Sequence, residues 1–119
     1  MSGSNSIHKM LIAFAILGFA PLFYHLAGAL QPFDATPVWR HTLFIGINVI
    51  CIYGLFKRPQ WFLWFFGILL VQQLYSHGSH LINLLHENKV NLIDGTVVIL
   101  MPLVFILLLI DRKQERGSL

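Results

Sequence analysis

The stretch "WFLWFFGILLVQQLYSHGSHLINLL", residues 61–85, decides the fold. Residues 61–71 are aromatic or aliphatic apart from Gly67, with no period-two alternation. Residues 72–85 then carry two glutamines, a tyrosine, two serines, two histidines and an asparagine. At a rise of about 1.5 Å per residue the segment is roughly 37 Å long as a helix, more than the ~30 Å hydrocarbon core of a bilayer. Gln73, His77, His80, then Asn83 or Leu84, and Glu87 recur at steps of three and four, so they share one helical face. Polar groups are costly in lipid. The spacing therefore predicts a helix that turns this stripe inward and its Leu74, Leu81 and Leu85 surface elsewhere.

The composition agrees with lipid as the solvent. Of 119 residues, 56% are hydrophobic and 11% charged, whereas a soluble domain carries about a quarter charged residues. A chain this short has too little interior to hide that much apolar surface from water. Three further apolar segments, 10–30, 38–56 and 92–110, each come near the roughly 20 residues that span a bilayer. The connections 31–37, 57–60 and 86–91 are short, so consecutive helices are expected to be antiparallel neighbours. A transmembrane β-barrel would need alternation, and "LVFILLLI" (residues 103–110) has none. The expectation is an all-α integral membrane protein, an antiparallel four-helix transmembrane bundle in one domain, with residues 2–6 as a frayed tail. Lys9, the apolar run and Ala27-Gly28-Ala29 imitate a secretory signal. The run is longer than most signal cores, so an uncleaved first helix is expected.

Charge sets the orientation. With four crossings, Lys9, Lys57, Arg58, Arg112, Lys113 and Arg116 fall on one side, and Arg40 and Lys89 on the other. Six against two places the first side, with both termini, in the cytoplasm. Trp61 and Trp64 then sit at the cytoplasmic interface, where tryptophan anchors belong. No basic run points to nucleic acid. The single cysteine, Cys51, excludes an intramolecular disulfide or a CxxC motif.

The histidines do not scatter. His8 lies on the cytoplasmic side, but His25, His41, His77, His80 and His86 come from three helices toward the opposite face. By the helical rise, His80 lies roughly 7–8 Å inside its helix end, His77 about 12 Å, His25 roughly 7–8 Å and His41 roughly 4–5 Å. Asp34, Glu87 and Asp94 fall at the same face. His77 and His80, at i and i+3, can reach one ion, and His41 and His25 could complete the set with a carboxylate from Asp94 or Asp34. Imidazole suits copper, zinc or iron, and the spacing does not separate these metals. Gln73, Asn48, Ser76, Ser79 and Tyr75 could supply hydrogen bonds that fix the imidazole tautomers.

The leading expectation is thus a histidine-lined transition-metal site near the non-cytoplasmic face, serving metal handling or redox chemistry. A haem b held by His25 or His41 against His77 or His80 is the nearest alternative, with Gly28, Gly46 and Gly78 as small residues beside a ring. A proton relay through His77, Asp94 and Glu87 is a third. Alternating access would need polar groups in the cytoplasmic half as well, and "ICIYGLF" (50–56) and "WFFGILL" (64–70) offer few. A zinc hydrolase with Asp94 as base is a further alternative. The plain readings are interfacial histidines that need no ligand, and a structural subunit. Expected partners are the lipid bilayer and a homo-oligomer or a larger membrane complex.

Overall fold

The computed structural model describes residues 2–31, 33 and 35–117. Among them the regular structure is all helix: α1 (Ser2–Leu17), α2 (Phe19–Leu30), α3 (Val38–Lys57), α4 (Gln60–His86) and α5 (Leu92–Gly117). The chain divides into two compact units, Met1–Pro59 and Gln60–Leu119.

In the first unit, α1 and α2 are one apolar run interrupted at Gly18. Pro21 has no N–H to give the carbonyl of Leu17, so the helical ladder loses a rung there. The Gly18 amide is shared between the carbonyls of Phe14 (3.0 Å) and Ala15 (3.1 Å), and Leu22 N–H reaches the Gly18 carbonyl at 3.3 Å. The interruption thus falls three residues before Pro21, at the residue with no side chain. A Cβ on Gly18 would stand 3.1 Å from Ile52 of α3, so this glycine also lets the helices approach. The helix includes residues 2–6, which corrects the expectation of a frayed tail: the chain continues the helix of the apolar run back to Ser2. Leu11, Ala15 and Leu55 are buried.

The second unit is a pair of long helices joined by a fully specified turn. α4 ends in a Schellman motif: Lys89 N–H donates to the Leu84 carbonyl (2.8 Å) and Asn88 N–H to that of Leu85 (3.0 Å). Asn88 takes the left-handed conformation this motif needs, at φ 59°. Asn91 then caps α5, its Oδ1 accepting from the amides of Ile93 (2.9 Å) and Asp94 (3.2 Å). Beyond the turn α4 and α5 pack along each other. His77 and His80 meet Asp94 near the turn, and farther from it Phe66 stacks on Phe105, with centroids 6.4 Å apart and planes at 9°. Phe62, Phe66, Val104 and Leu108 are buried. α5 runs seven residues past the expected end at Ile110, to Gly117, and passes Pro102 without a break in the helix. Asp111, just past that expected end, is buried.

Three helical stretches, Asn5–Leu30, Val38–Lys57 and Leu92–Gly117, are long and apolar enough to cross a membrane. α4, with 27 residues, is long enough, but the polar side chains from Gln72 onward dilute its apolar half. Large apolar side chains stand open to the surroundings on every helix, among them Leu30, Trp64, Ile68 and Ile99.

Candidate functional site

Asp94 is the centre of the second unit's polar end. It is the third residue of α5, where the unpaired amides of a helix start favour negative charge. In an ordinary capping box an acidic residue here would reach back to the cap residue's own amide. Asp94 instead points at α4. Its Oδ1 accepts from His77 Nδ1 at 2.6 Å, and its Oδ2 accepts from His80 Nδ1. The carboxyl group is only 6% exposed, against 28% for the His77 side chain and 56% for that of His80.

The chemistry of this triad follows from donor and acceptor roles. An ionised carboxylate only accepts, so each imidazole must carry its proton on Nδ1. In a neutral imidazole that leaves the lone pair on Nε2. One carboxylate thus sets the tautomer and orientation of two rings at once. The i, i+3 spacing on α4 makes this feasible, because both rings rise from one helical face.

In the first unit His25 of α2 and His41 of α3 meet, with Nδ1 to Nδ1 at 3.0 Å. One nitrogen must donate and the other accept. His41 is almost wholly buried, at 1% exposure. Its ring lies against the backbone of Gly28, where a Cβ would come within 2.6 Å of Cε1 and Nε2. Phe44 stacks on His25 (5.1 Å, 18°), and Tyr24 and Phe33 flank His41 at 5.9 and 6.0 Å.

The four histidines read from the sequence are therefore described as two pairings, His25 with His41 and His77 with His80 through Asp94. Among the described residues no group of three or more His, Cys, Asp or Glu side chains is set to hold a metal ion. Asp34 lies outside the described residues. Of the supporting polar residues, Gln73 is buried and donates to Gln72 Oε1 at 2.7 Å. Asn48 gives its amide to the Phe44 carbonyl of its own helix at 2.7 Å, a bond that satisfies the donor without help from another element. Ser76 is half-buried beside His77, and His86 is the exposed last residue of α4. Gly46 and Gly78 have open space beside them, whereas the space beside Gly28 is filled by His41.

No family model, no curated protein and no solved structure matches the chain.

Sequence reasoning placed His77, His80 and Asp94 at one face but did not anticipate that a single carboxylate would serve both rings. The signal was present in "NLID" (residues 91–94), an Asn-x-x-Asp start of a helix, which fixes Asp94 in the first turn. The aromatic walls of the His25–His41 pair were missed, because Tyr24 and Phe33 carry no distinguishing pattern.

Proposed function

We propose that the chain is a multi-pass membrane protein of four crossings, with both termini in the cytoplasm, that holds an exchangeable transition-metal ion on His77 and His80. The observation that carries the metal reading is the shared carboxylate. A histidine that ligates a metal usually donates its other ring N–H to a carboxylate or carbonyl, which raises its basicity and fixes its direction. Asp94 does this for two imidazoles three residues apart. Two protein nitrogens leave the other coordination positions to water or an incoming group. That suits a cation passed on rather than one locked into a closed structural site, which takes four protein ligands. Neutral imidazoles fit zinc, copper or iron.

The membrane reading is supported by the three long apolar stretches and the exposed apolar side chains. α4 is the fourth crossing, since 27 residues reach about 40 Å. Short connections and the Lys/Arg asymmetry support an antiparallel order with the triad toward the non-cytoplasmic face. Haem b is the runner-up. The filled space at Gly28, and the commitment of both α4 histidines to one carboxylate, favour a small ion over a porphyrin. A triad that stores a proton, with no metal, is the second reading. The short, buried contacts of Asp94 favour it.

Elemental analysis and an absorption spectrum of the detergent-purified protein decide among these. A metal retained by the unaltered protein and lost in both His77→Ala and His80→Ala is the expected result. His8→Ala and His86→Ala should retain it. A Soret band would select haem. Absence of both, with a thermal midpoint unmoved by chelator, would leave the proton-storing triad.

A further inference from the structure

We propose that His25 and His41 form a second, two-nitrogen site for a monovalent d10 cation, copper(I) in kind. The proposal is independent of the reading of His77 and His80. Two Nδ1 atoms, one from each of two packed helices, are directed at the same point 3.0 Å apart. As found, one proton fits between them. A cation bound in line by both nitrogens, at about 2.0 Å each, needs them roughly 4 Å apart, so the rings must part by about 1 Å. The two rings are unequally held. His41 is buried and wedged on Gly28, whereas His25 is half-buried and lies flat on Phe44. The opening belongs to His25, sliding along the phenyl face.

The walls choose the class of cation. Tyr24 and Phe33 stand beside the imidazoles, and aromatic faces attract positive charge; the Phe44 ring is already taken by the His25 imidazole and by the Arg40 guanidinium at 5.9 Å. The walls offer few oxygens to stand in for a hydration shell. Zinc prefers four ligands in a tetrahedron, which two in-line nitrogens do not supply. A monovalent d10 ion accepts two nitrogens in line and keeps little water. No electron transfer is involved, because the cation enters and leaves in the same oxidation state.

The test uses the full-length protein in detergent on a Cys51→Ala background, which removes the one thiol able to compete. Silver(I) is the redox-inert probe, and copper(I) under anaerobic reducing conditions is the second. Binding is read as equivalents per chain against a chromophoric competitor, and coordination by X-ray absorption at the copper edge. In a His77→Ala protein, which lacks the other site, the expected result is one equivalent held by two nitrogens, lost when His25→Ala is added and retained when Asp94→Asn is added. His25→Ala is the primary variant because His25 is the less buried of the pair; circular dichroism checks that it folds, and His86→Ala, exposed at the end of α4, is the control. Retention of the equivalent when His25→Ala is added to His77→Ala, or a first shell of three or more ligands, would overturn the proposal. Either outcome leaves the transition-metal site on His77 and His80 to stand or fall on its own variants.

Discussion

Asp94 concentrates the chemistry of the second unit in one residue. Asn in its place keeps the shape but offers one acceptor and one donor, so only one imidazole can still give its Nδ1–H. Asp94→Asn should therefore weaken metal retention by about 10–100-fold, the usual effect of losing such a partner, while the helices persist; circular dichroism and metal titration check both halves. Retention should also fall on acidification, because a protonated imidazole has no lone pair to give. Gly28→Ala should act on the other pair. The new methyl would overlap the buried His41 ring and should cost about 1–3 kcal/mol by overpacking, seen as a lower unfolding midpoint. Which residues matter was partly legible. The i, i+3 histidines stand out because polar side chains in an apolar helix need a reason. The pressure of His41 on Gly28 was not legible, because that contact depends on the approach of α2 and α3, which no spacing within either helix encodes.

The best-read elements were those bounded by strong local chemistry. The segments expected at 38–56 and 61–85 appear as Val38–Lys57 and Gln60–His86, stopped by Pro59 and by the polar turn that follows. The least well-read was the start of the chain, where serine and asparagine suggested a coil and the helix of the following apolar run continued through them. The turn between α4 and α5 gives the clearest test at this level. Asn91→Ala should remove about 1 kcal/mol by uncapping α5. Asn91→Ser should restore most of it, since its hydroxyl can accept the same amides. Asn88→Gly should be tolerated or slightly stabilising at φ 59°, and Asn88→Val should destabilise, because a branched side chain resists the left-handed region. Chemical unfolding of the purified variants would rank them, and a neutral Asn88→Val would count against the turn described here.

Across the whole chain, composition and segment length led to the expectation of lipid, and three helical stretches are long and apolar enough to cross a membrane. The six-to-two distribution of Lys and Arg makes orientation testable. Reporters fused after Leu119 or before Ser2 should be active only in the cytoplasmic form, and a reporter within 31–37 only in the opposite one. Both termini found outside would reverse the orientation and move the triad to the cytoplasmic leaflet. What the sequence withheld at this scale was the division of labour among histidines. The depths expected from the helical rise group His25, His41, His77 and His80, and depth alone does not say which will pair.

The turn at 87–91 has a consequence for how the protein is made. His80 and Asp94 are 14 residues apart and His77 and Asp94 are 17, so the triad closes a short loop, and the entropy of closure grows only slowly with length. Contacts this local belong to the fast end of folding. The two helices can therefore meet as a hairpin without help from the first unit, with each imidazole already on the carboxylate. In a bilayer crossing of the kind proposed, the carboxylate would enter with both oxygens already hydrogen-bonded. Biogenesis of this half would need no earlier segment to shelter a lone aspartate, and a ribosome that had released Asp94 would have delivered every group the triad requires.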